Sequence, residues 1–188
     1  MFKIFIGRIV SFIRRAANSC QSAYQLSKIT NKGIGCHING PGYFTYEQIE
    51  LGDGVHIGTN CTLMAAKSRI KIADNVIIGR YSFLVGGDHR FDIVGRTIKS
   101  IQEKRPQDDA DIIIDEECWI GANCIILKGV HIGRGCVIGA GSIVTKDVLP
   151  YTIFTNKGTR PRFTPEQISK HEQILYNKEN RPTTTEAL

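Results

Sequence analysis

The amino-acid sequence predicts an all-β fold in which short strands wind into a three-faced parallel coil. Aliphatic residues recur at every sixth position through residues 51–63, 72–84 and 114–144. The residue two places before each of them is Ile, Val, Cys or Ser, and six of the twelve are followed by Gly. Such a period suits neither a helix nor a hairpin, but it suits one short strand per face, with alternate residues pointing inward.

The two interruptions of the repeat predict where loops leave the coil. Between interruptions the six-residue units come in threes, and three units complete one coil of 18 residues. Three extra residues follow the unit of Leu63, and 24 follow that of Leu84. Both insertions should therefore leave the same edge. We expect about four coils within residues 49–150, with a long loop at residues 85–111.

The flanking segments are expected to contain helices. Residues 1–48 read as an N-terminal helical segment and lead-in, because residues 2–15 place apolar side chains at helical spacing among basic ones. Their uncharged run is too short for a signal peptide core or a membrane span. This helix could cap the first coil, pack on a neighbouring subunit, or make peripheral contact with an anionic membrane.

The C-terminal tail, residues 151–188, should form a short helix near residues 165–177. Thr164 and Gln167 form a capping box, and Pro165 suits the first helical position. Residues 177–188 are polar and should fray.

Length and composition indicate one cytoplasmic domain. The net charge is +6, from 24 Lys and Arg against 18 Asp and Glu. The basic residues are dispersed and accompany no nucleic-acid motif, so we expect an anionic small molecule rather than nucleic acid as the partner. Four of the six Cys stand two residues before an aliphatic residue of the repeat, at the position here called the small inward slot. A thiol behaves there as a small hydrophobe. The absence of CxxC spacing argues against a metal site and fits a reducing compartment.

The long loop holds the best candidate for catalysis. It begins Gly-Gly-Asp-His-Arg-Phe-Asp at residues 86–92, and His89 is the one histidine of five in an excursion from the repeat. An imidazole titrates near pH 6.5, which suits a general base. Asp88 and Asp92 are close enough in sequence to orient it.

Residues 120–148, with their Gly-Ala-Gly-Ser-Ile-Val-Thr-Lys-Asp run, resemble the hexapeptide-repeat acyltransferases. Within them the chain is most similar to the galactoside, maltose and capsular-polysaccharide sugar O-acetyltransferases, whose His-bearing loop resembles residues 88–92. The resemblance implies a left-handed parallel β-helix, a homotrimer, and acetyl-CoA as co-substrate without a metal. It also implies that His89 removes the proton from a hydroxyl of a sugar or glycan precursor.

Candidate binding residues carry over by position. The implied acetyl-CoA contacts are Gly121, Ala122, Gly139, Ala140, Thr145, Lys146, and Arg160 or Arg162. Lys146 would face the 3′-phosphate, with Lys128 one coil below to reinforce it, and Trp119 could line the channel. Asn60, Tyr81 and Asp88 are the candidate contacts to the acceptor.

Two other functions remain open from the sequence. An N-acetyltransferase of a nucleotide-linked amino sugar would share the donor site and the base. A non-catalytic β-helix scaffold or binding protein would not depend on His89. A zinc enzyme on the same repeat is disfavoured, because His56 and His131 have no near-neighbour His ligand. The expected location is the cytoplasm, with association of residues 2–15 with a membrane left open.

Overall fold

The computed structural model describes residues 2–179, which form a left-handed parallel β-helix with a helix at each end. The predicted fold class is therefore confirmed. The predicted frayed end falls largely on residues 180–188, which lie outside the described residues. No helix among residues 2–179 is long and apolar enough to cross a membrane.

The strands form three parallel sheets, one on each face of the coil. Sheet A contains β1 (Asn31–Lys32), β4 (Ile49–Leu51), β7 (Ile70–Ile72), β10 (Ile112–Ile114) and β13 (His131–Ile132). Sheet B contains β2 (His37–Ile38), β5 (His56–Ile57), β8 (Ile77–Ile78), β11 (Trp119–Ile120), β14 (Val137–Ile138), β16 (Thr152–Thr155) and the antiparallel β17 (Gly158–Pro161). Sheet C contains β3 (Tyr43–Phe44), β6 (Thr62–Met64), β9 (Phe83–Val85), β12 (Ile125–Leu127) and β15 (Ile143–Val144).

The core is a set of stacked aliphatic columns, one for each sheet. In sheet C, Ile126 pairs in register with Leu84 on one side and Val144 on the other, and all three side chains are fully buried. Each such side chain contributes roughly 1.5–3 kcal/mol on burial. The six-residue period exists because every sixth residue must fill the next column.

The β-helix begins one coil earlier than the predicted start at Ile49. Strands β1, β2 and β3 pair in parallel with β4, β5 and β6, so residues 31–44 form a first coil rather than an irregular lead-in. The repeat is disguised there because Lys32 and Phe44 stand in register with Leu51 and Leu63. The step from Phe44 to Leu51 is also seven residues, which breaks the period.

The glycines that follow the aliphatic residues are not at left-handed backbone positions. The left-handed backbone positions fall at other residues, including Asn60, Tyr81 and Asn123. Gly79 and Gly121 are needed for space instead. A Cβ at Gly79 would lie 2.5 Å from the Ala122 nitrogen of the next coil, and the bend could not stack.

The small inward slot is filled by side chains that donate a hydrogen bond to the coil above. The Cys61 thiol donates to the Gly79 carbonyl at 3.2 Å, and the Ser82 hydroxyl donates to the Gly121 carbonyl at 3.1 Å. Cys124 repeats the contact with Gly139 at 3.3 Å. Burial raises the pKa of the Cys61 and Cys124 thiols, so both stay protonated as donors.

Both predicted insertions leave the edge between sheets C and A, here named the insertion edge. The short one connects β6 to β7 and the long one connects β9 to β10. The chain returns to this edge after β12 and again after β15. The prediction that both loops share one edge is confirmed.

The two helices differ in how they are held. Helix α1 (Phe2–Lys28) contacts β2 through its C-terminal part, where Ser22 and Gln25 are buried and the Gln25 amide donates to the Gly42 carbonyl at 3.2 Å. Helix α2 (Pro165–Glu179) begins at the predicted capping box. The Thr164 amide donates to the Gln167 side chain at 2.9 Å, and the Gln167 amide donates to the Thr164 hydroxyl at 3.3 Å.

Candidate active site

Residues 86–111 form the long loop, which is tied to the insertion edge at its base. The Gly86 amide donates to the Met64 carbonyl at 2.8 Å, and the Ala110 amide donates back to the Gly86 carbonyl at 3.0 Å. The Asp88 amide donates to the Asp108 carbonyl at 2.8 Å. These bonds fix the backbone just before His89 against the end of the loop.

Ion pairs hold the returning arm of the loop. Lys104 pairs with Asp109 at 2.7 Å, and Arg105 pairs with the buried Asp108 at 2.8 Å. The hydrogen bonds from the Arg105 side chain lower the pKa of the Asp108 carboxyl to about 2. Asp108 therefore stays ionised at physiological pH.

His89 lies at an open cavity of about 320 Å³ beside sheet C. The cavity is lined by Thr45, Met64, Val85, Asp88 and Lys104, among others. Among residues 2–179 the His89 ring has no hydrogen-bond partner, and its side chain is exposed. An imidazole in this position can accept a proton from a molecule that enters the cavity.

Asp92 does not orient His89 as the sequence suggested. Its carboxylate accepts from Arg90 at 2.8 Å and from Arg105 at 2.6 Å, and these two cations use both of its oxygens. Hydrogen bonding from Arg90 is the largest cause that lowers the pKa of Asp92. Asp92 therefore joins the two arms of the loop instead of holding the imidazole.

Asp88 and Lys128 also take a structural part that differs from the expected contacts with acceptor and cofactor. They form an ion pair at 2.9 Å. The Lys128 ammonium also donates to the carbonyls of Gln107 at 3.0 Å and Asp108 at 3.1 Å. The Lys128 ammonium therefore binds the loop to the coil, and it is not available beside Lys146 as a second cation for a cofactor phosphate.

Thr145 and Lys146 line a separate cavity of about 360 Å³, together with Thr152, Phe154 and Thr159. Lys146 is exposed and forms no ion pair with any residue in the described part of the chain. An uncompensated ammonium at the mouth of a cavity suits a phosphate group. Both residues follow β15 directly and so lie on the insertion edge.

The small residues expected at the cofactor lie on the bend between sheets B and C, on the far side of sheet C from His89. Ala140 is exposed and Ala122 is half-buried. Gly121 is buried against the backbone of Ala140, with 2.5 Å between its Cβ position and the Ala140 nitrogen, so no ligand can reach it. Gly121 is therefore removed from the expected cofactor contacts, whereas Gly139 remains partly exposed.

Asn60 and Tyr81 lie on this same bend, at the left-handed positions of two lower coils, with φ of 58° and 61°. Their backbone conformations serve the turn, since the Asn60 amide donates to the Pro41 carbonyl at 2.6 Å and the Tyr81 amide donates to the Thr59 carbonyl at 3.0 Å. Within one chain the structure does not bring either residue to the edge that holds His89. Their expected contact with the acceptor has no support from this geometry.

The two candidate arginines after the last coil are separated by their contacts. Arg162 donates to the Gly135 carbonyl at 2.8 Å and lies over the Phe163 ring at 4.6 Å, so it is used within the fold. Arg160 on β17 is exposed, and no ion pair to it occurs within residues 2–179. Arg160 is the one of the two that is free to meet a ligand.

His89 and the Thr145–Lys146 pair share the insertion edge at different heights. Strands β9, β12 and β15 are consecutive neighbours in sheet C, and His89 follows β9 while Thr145 follows β15. Two strand spacings amount to about 10 Å along the coil axis. A molecule lying along this edge can thus meet both groups.

Sequence reasoning missed two residues of the His89 cavity. Thr45 accepts a hydrogen bond from the Ala65 amide at 2.8 Å, and it lies in the first coil, which the pattern had not revealed. Lys104 comes from the far arm of the loop, and only the folding of that arm brings it to His89. No spacing rule in the sequence marks either residue.

The fold agrees with what comparison with known proteins finds. A family model described as the hexapeptide repeat of succinyl-transferase matches residues 111–146. A protein of Lysinibacillus sphaericus named as a probable macrolide acetyltransferase is 34% identical over 143 residues, which cover 70% of this chain and 76% of that protein. The solved structure of a galactoside acetyltransferase in complex with coenzyme A is 29% identical, with a TM-score of 0.58 over 74% of this chain and 67% of that one.

Other curated relatives are longer than the region that matches. A galactoside O-acetyltransferase of Lactococcus lactis is 30% identical over 118 residues, 62% of this chain and 54% of that protein. The chain spans about half the length of the first curated relatives it matches. The Lysinibacillus protein, by contrast, is matched over three quarters of its length, and the repeat, the coil and the family match coincide at residues 111–146. The chain therefore belongs to the hexapeptide-repeat acetyltransferase family.

Proposed function

We propose that this protein transfers an acetyl group from acetyl-CoA to a hydroxyl of a sugar or glycan precursor, with His89 as the general base. The observation that carries the proposal is the insertion edge. It presents an exposed imidazole over a cavity and, about 10 Å further along, a lysine without a counter-ion. The galactoside acetyltransferase with bound coenzyme A supports the choice of donor and acceptor.

The chain's own residues suit the two ends of such a donor. Bound acetyl-CoA would supply an acetyl thioester to the site. Lys146 and Thr145 would hold the nucleotide end, with Arg160 as the additional cation. Asp92 and Lys128 hold the loop that carries His89, so the base is positioned before the substrate binds.

His89 would take the proton of the acceptor hydroxyl as that oxygen attacks the thioester carbonyl. The carbon–sulfur bond would then break, and the proton would pass from His89 to the sulfur of the departing coenzyme A. The ring has no internal partner among the described residues, so its acceptor nitrogen is available for this proton. Because the cavity is open on one side, the acceptor can enter from solvent. Lys104 at the cavity wall offers a hydrogen bond to a sugar hydroxyl.

The outer faces of the sheets favour a homotrimer. Sheet A carries charged ion pairs, such as Lys71 with Asp111 at 3.0 Å. The other two sheets expose apolar side chains, Ile77 and Trp119 on sheet B, and Phe83 and Ile143 on sheet C. A ring of three chains needs two different contact surfaces on each, and these two faces supply them. The cytoplasmic location expected from the free thiols stays a prediction.

Replacing the proposed base tests the function. We expect His89→Ala to lower kcat about 10²–10⁴-fold, because general base catalysis contributes that much. The measurement is coenzyme A release from acetyl-CoA in the presence of galactosides, maltose and related sugars. Affinity for acetyl-CoA, measured by calorimetry, should stay the same, since His89 does not contact the nucleotide end.

His131→Ala is the matched control, because His131 lies on the outer face of sheet A and pairs with Asp115 at 2.9 Å. It should turn over like the wild type. Wild-type turnover by a folded His89→Ala protein would refute the proposed base and leave the non-catalytic scaffold as the better interpretation. Preferred acetylation of amino sugars over hydroxy sugars would point to the N-acetyltransferase that the sequence left open.

A further inference from the structure

The N-terminal part of helix α1 is an amphipathic helix whose apolar side is uncovered. At 3.6 residues per turn the apolar side chains of residues 2–13, with the exception of Ile4, fall on one arc of about 160°. The residues on this arc whose exposure the structure describes are Phe5, Ile6, Ile9, Val10, Phe12 and Ile13, and all six are exposed, Phe12 by 72%. Water-exposed apolar side chains at this density are unusual for a surface helix.

This arc points away from the body of the protein. Ser22 and Gln25, the buried residues of α1, lie on the opposite side of the helix from Ile9 and Ile13. The helix is continuous from Phe2 to Lys28, so the side that docks on the first coil and the side that carries the arc stay opposed along its length. The protein cannot cover the arc with its own coil while α1 remains docked.

The charges around the arc are of one sign. Arg8 and Arg14 lie about 40° beyond its two borders, where long side chains can reach past an apolar layer to polar groups. Glu47 is the first acidic residue of the sequence, and six Lys or Arg precede it. Any surface that accepts this helix must therefore accept an apolar stripe bordered by uncompensated positive charge.

We propose that residues 4–17 of α1 lie flat on an anionic lipid bilayer, with the apolar arc among the acyl chains and the arginines at the phosphates. An interfacial helix requires this combination of a wide apolar face and flanking cations. The helix is not apolar enough to cross a membrane, which fits binding at the surface. A second copy of the chain is a poorer occupant, because its α1 carries the same positive charge and no carboxylate to meet it.

Vesicle binding by the full chain tests the proposal. The protein should co-sediment with vesicles of phosphatidylcholine mixed with phosphatidylglycerol, and much less with phosphatidylcholine alone. Phe12→Glu should weaken binding to the mixed vesicles more than about tenfold, because it removes one large apolar side chain that would be buried among the acyl chains. Arg14→Gln should weaken it about fivefold, and added salt should do the same.

Val94→Glu is the matched control, because Val94 is fully exposed on the long loop and the substitution adds the same charge. It should bind vesicles like the wild type. Equal binding to neutral and anionic vesicles, or no binding at all, would overturn the proposal. So would a change of oligomeric mass in Phe12→Glu, measured by light scattering, since a second copy would then cover the arc. Acetyl transfer to a soluble sugar should be the same in Phe12→Glu, so this test is independent of the proposed function.

Discussion

The upper coils, residues 112–144, and the long loop, residues 86–111, are built by different forces. In the upper coils every inward side chain is buried and strand pairing is continuous from coil to coil. In the loop only three side chains, Ile101, Asp108 and Asp109, are buried, and ion pairs determine the path of the chain. The upper coils, here called the rod, are thus rigid and apolar, and they carry a polar loop. Changes in the rod should act on stability, whereas changes in the loop should act on activity.

The largest contrast should come from equal truncations in the two regions. Ile126 is fully buried in β12, so Ile126→Ala should lower the free energy of unfolding by about 2–5 kcal/mol. Ile98 in the loop is 55% exposed, and Ile98→Ala should cost no more than about 0.5 kcal/mol. Denaturant unfolding followed by circular dichroism measures both, and similar losses at the two sites would break the contrast.

A smaller effect is expected from the polar contact between coils. Ser82→Ala removes the donor to the Gly121 carbonyl and the acceptor for the Cys124 amide, both buried, and should cost about 1–3 kcal/mol. Ser82→Cys should recover most of that loss, because Cys fills the equivalent slot in neighbouring coils and keeps the donor. If Ser82→Cys is no more stable than Ser82→Ala, the hydrogen bond from this position does not contribute to the free energy of unfolding.

The same contrast explains how far the sequence could predict the structure. In the rod, each aliphatic residue stacks on the one a coil below, so the period and the shared edge of both insertions could be predicted directly from the sequence. The cap of helix α2 could also be predicted, because it depends only on residues 164–167. The first coil escaped because Lys32 and Phe44 occupy its column positions and one extra residue follows it. There the pairing of backbones, which no side-chain pattern records, is enough to continue the coil.

The loop was less predictable because opposite charges can pair in many ways. Sequence proximity suggested that Asp92 would hold His89, yet Asp92 lies between Arg90 and Arg105. Lys128 stood one coil from Lys146 and seemed equivalent to it, but the loop folds back onto Lys128 alone. The fold of the loop determines which lysine forms an ion pair and which stays free to bind a ligand. The sequence alone could therefore not distinguish Lys128 from Lys146 as a cofactor contact.

A substitution of Lys128 tests whether the position of the loop controls activity. Lys128→Met should reduce kcat/KM about fivefold, because the ion pair with Asp88 and two carbonyl contacts that position the loop are lost together. The free energy of unfolding should change by no more than about 1 kcal/mol, as for other partly exposed pairs. Glu50→Gln, which removes the ion pair with Arg69 from the face of sheet A, is the control and should leave kcat/KM unchanged. Equal effects of the two substitutions would show that loop position does not govern activity.

The smallest effect should appear as a pH dependence of the Arg105–Asp108 contact. Hydrogen bonds from Arg105 lower the pKa of Asp108 from 3.8 to about 2 in the folded protein. A carboxyl whose pKa is lowered by folding contributes stability that is fully present above the unfolded value and is lost as pH falls through the folded value. The protection of loop amides from hydrogen exchange should therefore differ between the wild type and Asp108→Asn above pH 4. This difference should shrink between about pH 4 and 2 and vanish below that. A difference that persists unchanged to about pH 2 would mean that Asp108 acts through packing, and the loop would then resemble the rod.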